Sequence, residues 1–122
     1  MRILTFEIGG HRLAIPADAI DSVGKQSSQS RAQALDLRRC LGLGPSSGQS
    51  NVAIIFHHGK KTWEFIADRV LNLEEYREDE IKPWPRTLGY HRLFSGILTL
   101  EGGIFLMLNL ETISACGGRT KR

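Results

Sequence analysis

The chain has 122 residues, of which 41% are hydrophobic and 24% charged, the composition of an ordinary globular domain. No run approaches the roughly 20 apolar residues that span a bilayer, and the first seven residues lack the apolar run of a signal peptide. We therefore expect a cytoplasmic protein without membrane insertion.

The formal net charge of +3 is located at the C-terminus. Arg119, Lys121 and Arg122 supply all of it, in a segment (117–122) that we expect to be a basic flexible tail. Residues 1–116 carry 13 basic and 13 acidic side chains, whereas nucleic-acid-binding domains carry a basic face within the fold. Nucleic acid is thus an improbable partner, and a small β-barrel that binds it through this tail is the alternative hypothesis.

Three segments of the chain share one pattern: an apolar strand, a glycine turn, a second apolar strand and a short corner of polar and aliphatic residues. The strand pairs are 3–8 with 12–15, 52–56 with 62–66, and 96–100 with 104–108, and the corners are 16–23, 67–73 and 109–113. Short strands joined by glycine turns predict a mainly β protein built of small antiparallel barrels.

The connecting segments are short. Residues 24–31 are polar and rich in Ser and Gln, which predicts a loop. Residues 32–43 predict a strand followed by a helical turn, with Asp36 as its N-cap and Gly42 or Gly44 as its end. Prolines disfavour helix in the residue before them, so 81–85 must be extended.

The residues with chemical potential do not form a recognisable catalytic or metal motif. His57 and His58 are adjacent in a strand and point to opposite faces, so they cannot easily chelate one ion. Asp68 is interpreted as a corner residue that binds backbone amides, in preference to a functional acid. Cys40 and Cys116 lack metal-ligand spacing and are expected to be reduced. We expect no catalytic residue, no metal and no cofactor, and hence no enzyme.

The aromatic residues leave two interpretations open. They could form a platform on which single-stranded bases stack, or they could belong to the hydrophobic core, which is at least as favoured. The residues concerned are Phe56, Trp63, Phe65, Trp84 and Phe94.

The order of these elements resembles the CheW-like domain. The resemblance rests on the order of five stretches that are distributed over nearly the full length of the chain: 6–16 (Phe-Glu-Ile-Gly-Gly-His-Arg-Leu-Ala-Ile-Pro), 35–43 (Leu-Asp-Leu-Arg-Arg-Cys-Leu-Gly-Leu), 65–70 (Phe-Ile-Ala-Asp-Arg-Val), 81–85 (Ile-Lys-Pro-Trp-Pro) and 96–110. It implies two small SH3-like β-barrel subdomains in a single domain, 1–116, with elements of the first in about 1–50 and of the second in 51–116. It also implies a non-enzymatic adaptor that couples a chemoreceptor to the chemotaxis histidine kinase.

The chain departs from the family in its first half. Members carry a longer segment, with an additional strand, where this chain has only 24–34, so we expect a truncated first barrel. Removing a strand leaves an unpaired edge, which would pair with a second copy in a homodimer or accept a strand from the kinase or receptor. Apolar residues near the subdomain edges are the expected partner contacts: Ile15, Val23, Ile97 and Leu98.

Overall fold

Ten strands and two helices make up the part of the chain that the computed structural model describes, residues 1–25, 32–43, 52–85, 93–100 and 103–117. The strands are β1 (Arg2–Ile8), β2 (His11–Pro16), β3 (Ile20–Gly24), β4 (Gln33–Ala34), β5 (Val52–His58), β6 (Lys61–Ala67), β7 (Arg69–Glu75), β8 (Ile81–Pro83), β9 (Phe94–Leu100) and β10 (Gly103–Leu108). The helices are α1 (Leu37–Cys40) and α2 (Leu110–Gly117).

The strands form two sheets. One has six strands in the order β7-β1-β2-β10-β9-β8, and the other has four in the order β3-β5-β6-β4. The predicted mainly β architecture is confirmed, and so are the hairpins β1–β2, β5–β6 and β9–β10. The first hairpin turns at Gly9 and Gly10, whose φ angles of 58° and 83° are reached at little cost only by glycine.

Two of the segments predicted as corners are strands. After a 3-10 turn at Ala17–Ala19 the chain continues as β3, and after the single residue Asp68 it continues as β7. Each of these strands leaves the sheet of its own hairpin, because β3 pairs with β5 and β7 pairs with β1. The first two hairpins therefore exchange their third strands.

The exchange reveals an internal repeat in which equivalent residues differ by 50 in number. Phe6 lies opposite Leu13 as Phe56 lies opposite Trp63. The irregularity in the β1–β7 register recurs at the same place between β3 and β5. The first repeat thus contains β1, β2 and β3, and their counterparts in the second repeat are β5, β6 and β7.

Each repeat also has a fourth strand that leads into a helix. β4 runs parallel to β6 as β10 runs parallel to β2, over two residue pairs in each case. Asp36 caps α1 by accepting a hydrogen bond from the Arg39 amide at 3.1 Å, and Asn109 accepts one from the Thr112 amide at 3.3 Å. The N-cap predicted at Asp36 is confirmed, and Gly42, with φ 74°, ends the helical turn.

The repeats differ in what lies beyond the fourth strand. Between β7 and β10 the chain has 27 residues, which include β8 and β9, whereas only 8 residues separate β3 from β4. The first repeat therefore has no room for a counterpart of β8 and β9. The expected division of the chain into two sets of subdomain elements near residue 50 does not coincide with the division into two sheets. β1 and β2 share a sheet with β7 to β10, whereas β3 and β4 share one with β5 and β6.

The buried side chains form two clusters. The larger surrounds Phe6, Phe56 and Phe65. The centroid of the Phe65 ring lies 5.3 Å from that of Phe6 and 5.8 Å from that of Phe56. The smaller contains six buried residues: Ile3, Ala14, Tyr76, Leu98, Phe105 and Met107. Phe56, Trp63, Phe65 and Phe94 are all buried in the larger cluster, so they belong to the core and offer no platform to bases.

Candidate partner-binding surface

The face of the hairpin β9–β10 that is turned away from the smaller cluster carries an apolar surface, of which Leu106 also packs against the larger cluster. Ile104 is 61% exposed. Two residue pairs further along the hairpin, Leu106 lies opposite Ile97, and both are half-buried. The alternate residues, Phe105 and Leu98, face the smaller cluster. We call the set Ile97, Ile104, Leu106 and Trp84 the β9–β10 apolar surface.

A cavity of about 140 Å³ adjoins this surface, lined by His11, Leu41, Trp84, Phe94 and Leu106. The Trp84 and Phe94 rings lie 4.8 Å apart with their planes tilted by 46°, which fixes one wall. Apolar cavities beside exposed aliphatic residues are typical of protein interaction sites. The cavity is large enough for one apolar side chain of a partner.

The four predicted contact residues occupy different environments. Val23 is 43% exposed on β3, the outermost strand at one side of the four-stranded sheet. Ile97 lies in the six-stranded sheet, between Leu106 of β10 and Lys82 of β8. Ile15 and Leu98 have no exposed surface, so a partner cannot reach them in the folded protein. We retain Val23 and Ile97 in the proposed contacts and leave the other two out.

Sequence reasoning missed Ile104, Leu106 and Trp84. Residues 104–108 form a continuous apolar run, and such a run does not show which side chains face the core. A continuous apolar run is typical of a strand covered on both faces. Read that way, the run would have indicated that both faces of the strand are covered. Leu106 and Leu108 do pack in the larger cluster, whereas Ile104 is left exposed.

Asp68 occupies the corner between β6 and β7. Its Oδ2 accepts a hydrogen bond from the Gly9 amide at 2.8 Å, and its Oδ1 lies 3.2 Å from Nη1 of Arg38. Its own amide donates to the carbonyl of Glu7 at 2.8 Å. The interpretation of Asp68 as a corner residue that binds a backbone amide is confirmed.

The histidines that the structure describes do not gather into a metal site. His57 is exposed and its Nδ1 lies 2.8 Å from Oδ1 of Asp21, which ties β5 to the irregular position of β3. Among the residues that the structure describes, no group of three His, Cys, Asp or Glu could hold a metal ion. His91 lies outside the described residues, as do residues 118–122 of the predicted tail.

A second, larger cavity of about 440 Å³ lies where β1 begins and β7 ends. Its wall includes Arg2, Asp18, Glu75 and the buried Tyr76. Burial raises the pKa of the Tyr76 phenol, and the nearby carboxylates of Asp18 and Glu78 raise it further. The phenol thus stays neutral over the physiological range.

No helix in the described part of the chain has the length and apolar character needed to cross a bilayer. Transmembrane helices require about 20 predominantly apolar residues, whereas α2, the longer of the two helices, has eight.

Comparison with known proteins agrees with this geometry. The family model of the CheW-like domain matches residues 30–115. Among solved structures, the scaffolding protein TtCheW from Thermoanaerobacter tengcongensis has the same fold, with a TM-score of 0.79 over 98% of this chain and 96% of that one, at 14% sequence identity. A search of the curated proteins found no match.

Proposed function

This chain belongs to the CheW-like domain family, and from that premise we propose that it is a non-enzymatic adaptor of a chemotaxis-type signalling system. Its expected partners are the regulatory domain of the histidine kinase and the cytoplasmic tip of a chemoreceptor. Proteins of this family act as scaffolds without catalysis.

The observation that carries the proposal is the β9–β10 apolar surface. An aliphatic side chain as exposed as Ile104, beside a cavity with an aromatic wall, gains free energy when a partner removes it from water. Burial contributes about 25 cal/mol per Å² of apolar area, and a few well-packed anchors dominate most interfaces. Ile104 is the anchor that we expect to matter most.

The test is binding of the purified chain to the kinase regulatory domain and to the receptor tip of the same organism, measured by calorimetry. Ile104→Glu places a charge in the contact and should weaken binding by about tenfold or more. Leu73→Glu is the matched control, since Leu73 is also an exposed aliphatic residue (55%) but lies on β7. Dissociation constants weaker than roughly 1 mM for both partners, or equal losses in the two variants, would contradict the proposal.

The remaining expectations stay predictions. Pairing of two copies through open strand edges predicts a dimer mass in light scattering. The alternative function, nucleic-acid binding through the basic tail, predicts an affinity that falls steeply with salt and disappears when residues 117–122 are deleted. The cytoplasmic location also stays a prediction.

A further inference from the structure

In the part of the chain that the structure describes, no strand covers the outer edge of β4, the fourth strand of the first repeat. β10 of the second repeat is covered by β9, and β9 by β8. Its counterpart β4 is the outermost strand of the four-stranded sheet in the part of the chain that the structure describes, and both of its residues, Gln33 and Ala34, are exposed. A strand that lay beside β4 would occupy the position that β9 occupies in the second repeat.

Glu64 lies on β6, the strand that pairs with the inner edge of β4. Its equivalent, 50 residues earlier on β2, is Ala14, which is fully buried in the smaller cluster with Leu98 of β9. Glu64 is half-buried, but its Oε2 is buried and accepts no hydrogen bond within the described residues. A buried carboxylate oxygen without a donor is costly, so this oxygen favours any ligand that brings one.

A partner side chain that reaches Glu64 from the outer edge of β4 has to cross only the small side chain of Ala34. Ala34 lies directly opposite Glu64 in the parallel pairing of β4 with β6. A strand added to β4 would lie about 4.8 Å beyond it, and side chains on the same face of neighbouring strands lie side by side. Because Ala34 ends at its methyl group, a long side chain of the added strand has room to extend across it to Glu64.

We propose that the outer edge of β4 binds an extended segment of a partner protein, which pairs antiparallel to Gln33–Ala34 and places a Lys or Arg side chain against Glu64. Strand addition to a sheet edge supplies affinity through main-chain hydrogen bonds, and side-chain sites supply specificity. The inference rests on the proposed adaptor function only in that the occupant is a protein.

The chemistry of Glu64 distinguishes this occupant from a second copy that pairs β4 with β4. Within the described residues, such a pair would bring Gln33 and Ala34 of the second copy to the edge, and neither carries a cation. Neither of these two side chains would give the Glu64 carboxylate a charged donor. Charge complementarity therefore favours a basic segment from another protein.

Trp63 provides a reporter of this edge. It lies opposite Gln33 in the β4–β6 pairing and is 5% exposed, and its indole N–H has no acceptor within the described residues. Trp84, the second tryptophan of the chain, belongs to the β9–β10 apolar surface. Their two indole N–H resonances in an NMR spectrum of the full chain therefore report separately on the two sites.

The probe is a labelled nine-residue peptide of alternating threonine and valine with lysine at its centre, compared with the same peptide carrying glutamate there. We expect the lysine peptide to bind about tenfold more tightly, the effect of one hydrogen bond between charged groups, and to shift the Trp63 resonance but not that of Trp84. Glu64→Gln should abolish the difference between the peptides. Glu75→Gln, at an exposed position on β7, should preserve it.

A second variant tests the edge without changing Glu64. Ala34→Lys supplies the cation from within the chain and fills the route from the edge of β4 to Glu64, so it should raise the melting temperature and abolish peptide binding. Equal affinity for both peptides, a difference that persists in Glu64→Gln, or a dimer that shifts the Trp63 resonance without peptide would overturn the proposal. Ile104→Glu alters the β9–β10 apolar surface, on which the Trp84 resonance reports, and leaves the edge of β4 unchanged. The two proposals can therefore fail independently.

Discussion

Asp68 and Arg38, thirty residues apart in the chain, form an ion pair of 3.2 Å between Oδ1 and Nη1. The same carboxylate accepts the Gly9 amide at 2.8 Å. It thereby connects the turn of the first hairpin, the helical turn α1 and the corner between β6 and β7. One side chain thus holds together parts of both repeats.

Removing this carboxylate should destabilise the fold. Asp68→Ala loses the ion pair and leaves the Gly9 amide without its acceptor, and we expect the free energy of unfolding in urea to fall by about 1–2 kcal/mol, since both groups are partly exposed. Asp18, the equivalent residue of the first repeat, is exposed. Asp18→Ala is the control and should change stability by less than about 0.5 kcal/mol. Equal losses in the two variants would refute this role of Asp68.

Thr5 should be needed at the register irregularity of the β1–β7 pair. Its fully buried hydroxyl donates to the Asn72 carbonyl and accepts from the Asn72 amide, both at 3.0 Å. Thr5→Val keeps the shape but removes both bonds, which should cost about 1–3 kcal/mol in unfolding free energy. Thr5→Ser keeps the hydroxyl and should cost about 1 kcal/mol through the lost methyl group. A serine variant less stable than the valine variant would contradict the prediction.

Tyr76 should make stability depend on pH at the alkaline end. Its pKa in the fold is raised above 10.0 by burial and then by Asp18 and Glu78. Below about pH 10 the phenol is neutral in both states and its contribution to stability is fully present. At higher pH the unfolded chain releases the proton more readily, so the free energy of unfolding falls as pH rises through the raised pKa.

The measurement is urea unfolding between about pH 8 and 11, a window around the usual tyrosine pKa. Tyr76→Phe should remove part of the alkaline loss of stability. The matched control is Tyr90→Phe, at the second tyrosine of the chain. If the Tyr76→Phe variant lost stability with pH as steeply as the unmodified chain, the phenol would not be the cause.

Two neighbouring residues on β10 should differ strongly in how much their substitution lowers the free energy of unfolding. Phe105 is 3% exposed in the smaller cluster, whereas Ile104 is 61% exposed. Phe105→Ala leaves a cavity and should cost about 3–5 kcal/mol. Ile104→Thr keeps a β-branched residue on the surface and should change the free energy of unfolding by less than about 0.5 kcal/mol. A large loss from Ile104→Thr would show that this residue serves stability and not contact.

The hairpins could be predicted from the sequence because their determinants are local. Gly9 and Gly10 supply positive φ between two apolar runs, and Asp36 and Gly42 mark the ends of α1. The strand exchange could not be predicted in this way. The choice of β5 as the partner of β3 depends on packing between segments far apart in the chain, and local pattern carries no information about it.

The burial of the predicted contact residues shows a related limit. Ile97 and Leu98 are adjacent and both aliphatic, but one lies beside the exposed surface and the other has no exposed area. Adjacent side chains of a strand point to opposite faces, and residue type alone does not show which of two neighbouring aliphatic residues faces the core. The CheW-like resemblance covered the order of the elements, which is why fold and family could be predicted while the site could not.

The exchange of third strands has a consequence for synthesis of the protein. β1 pairs with β7, as in the contact of Thr5 with Asn72, 67 residues away. The first hairpin therefore leaves the ribosome well before the strand that covers its outer edge, and uncovered strand edges are prone to pair with other chains. The high sequence separation of this pairing also favours slow folding. The nascent chain is therefore most vulnerable to aggregation before residue 75 has emerged.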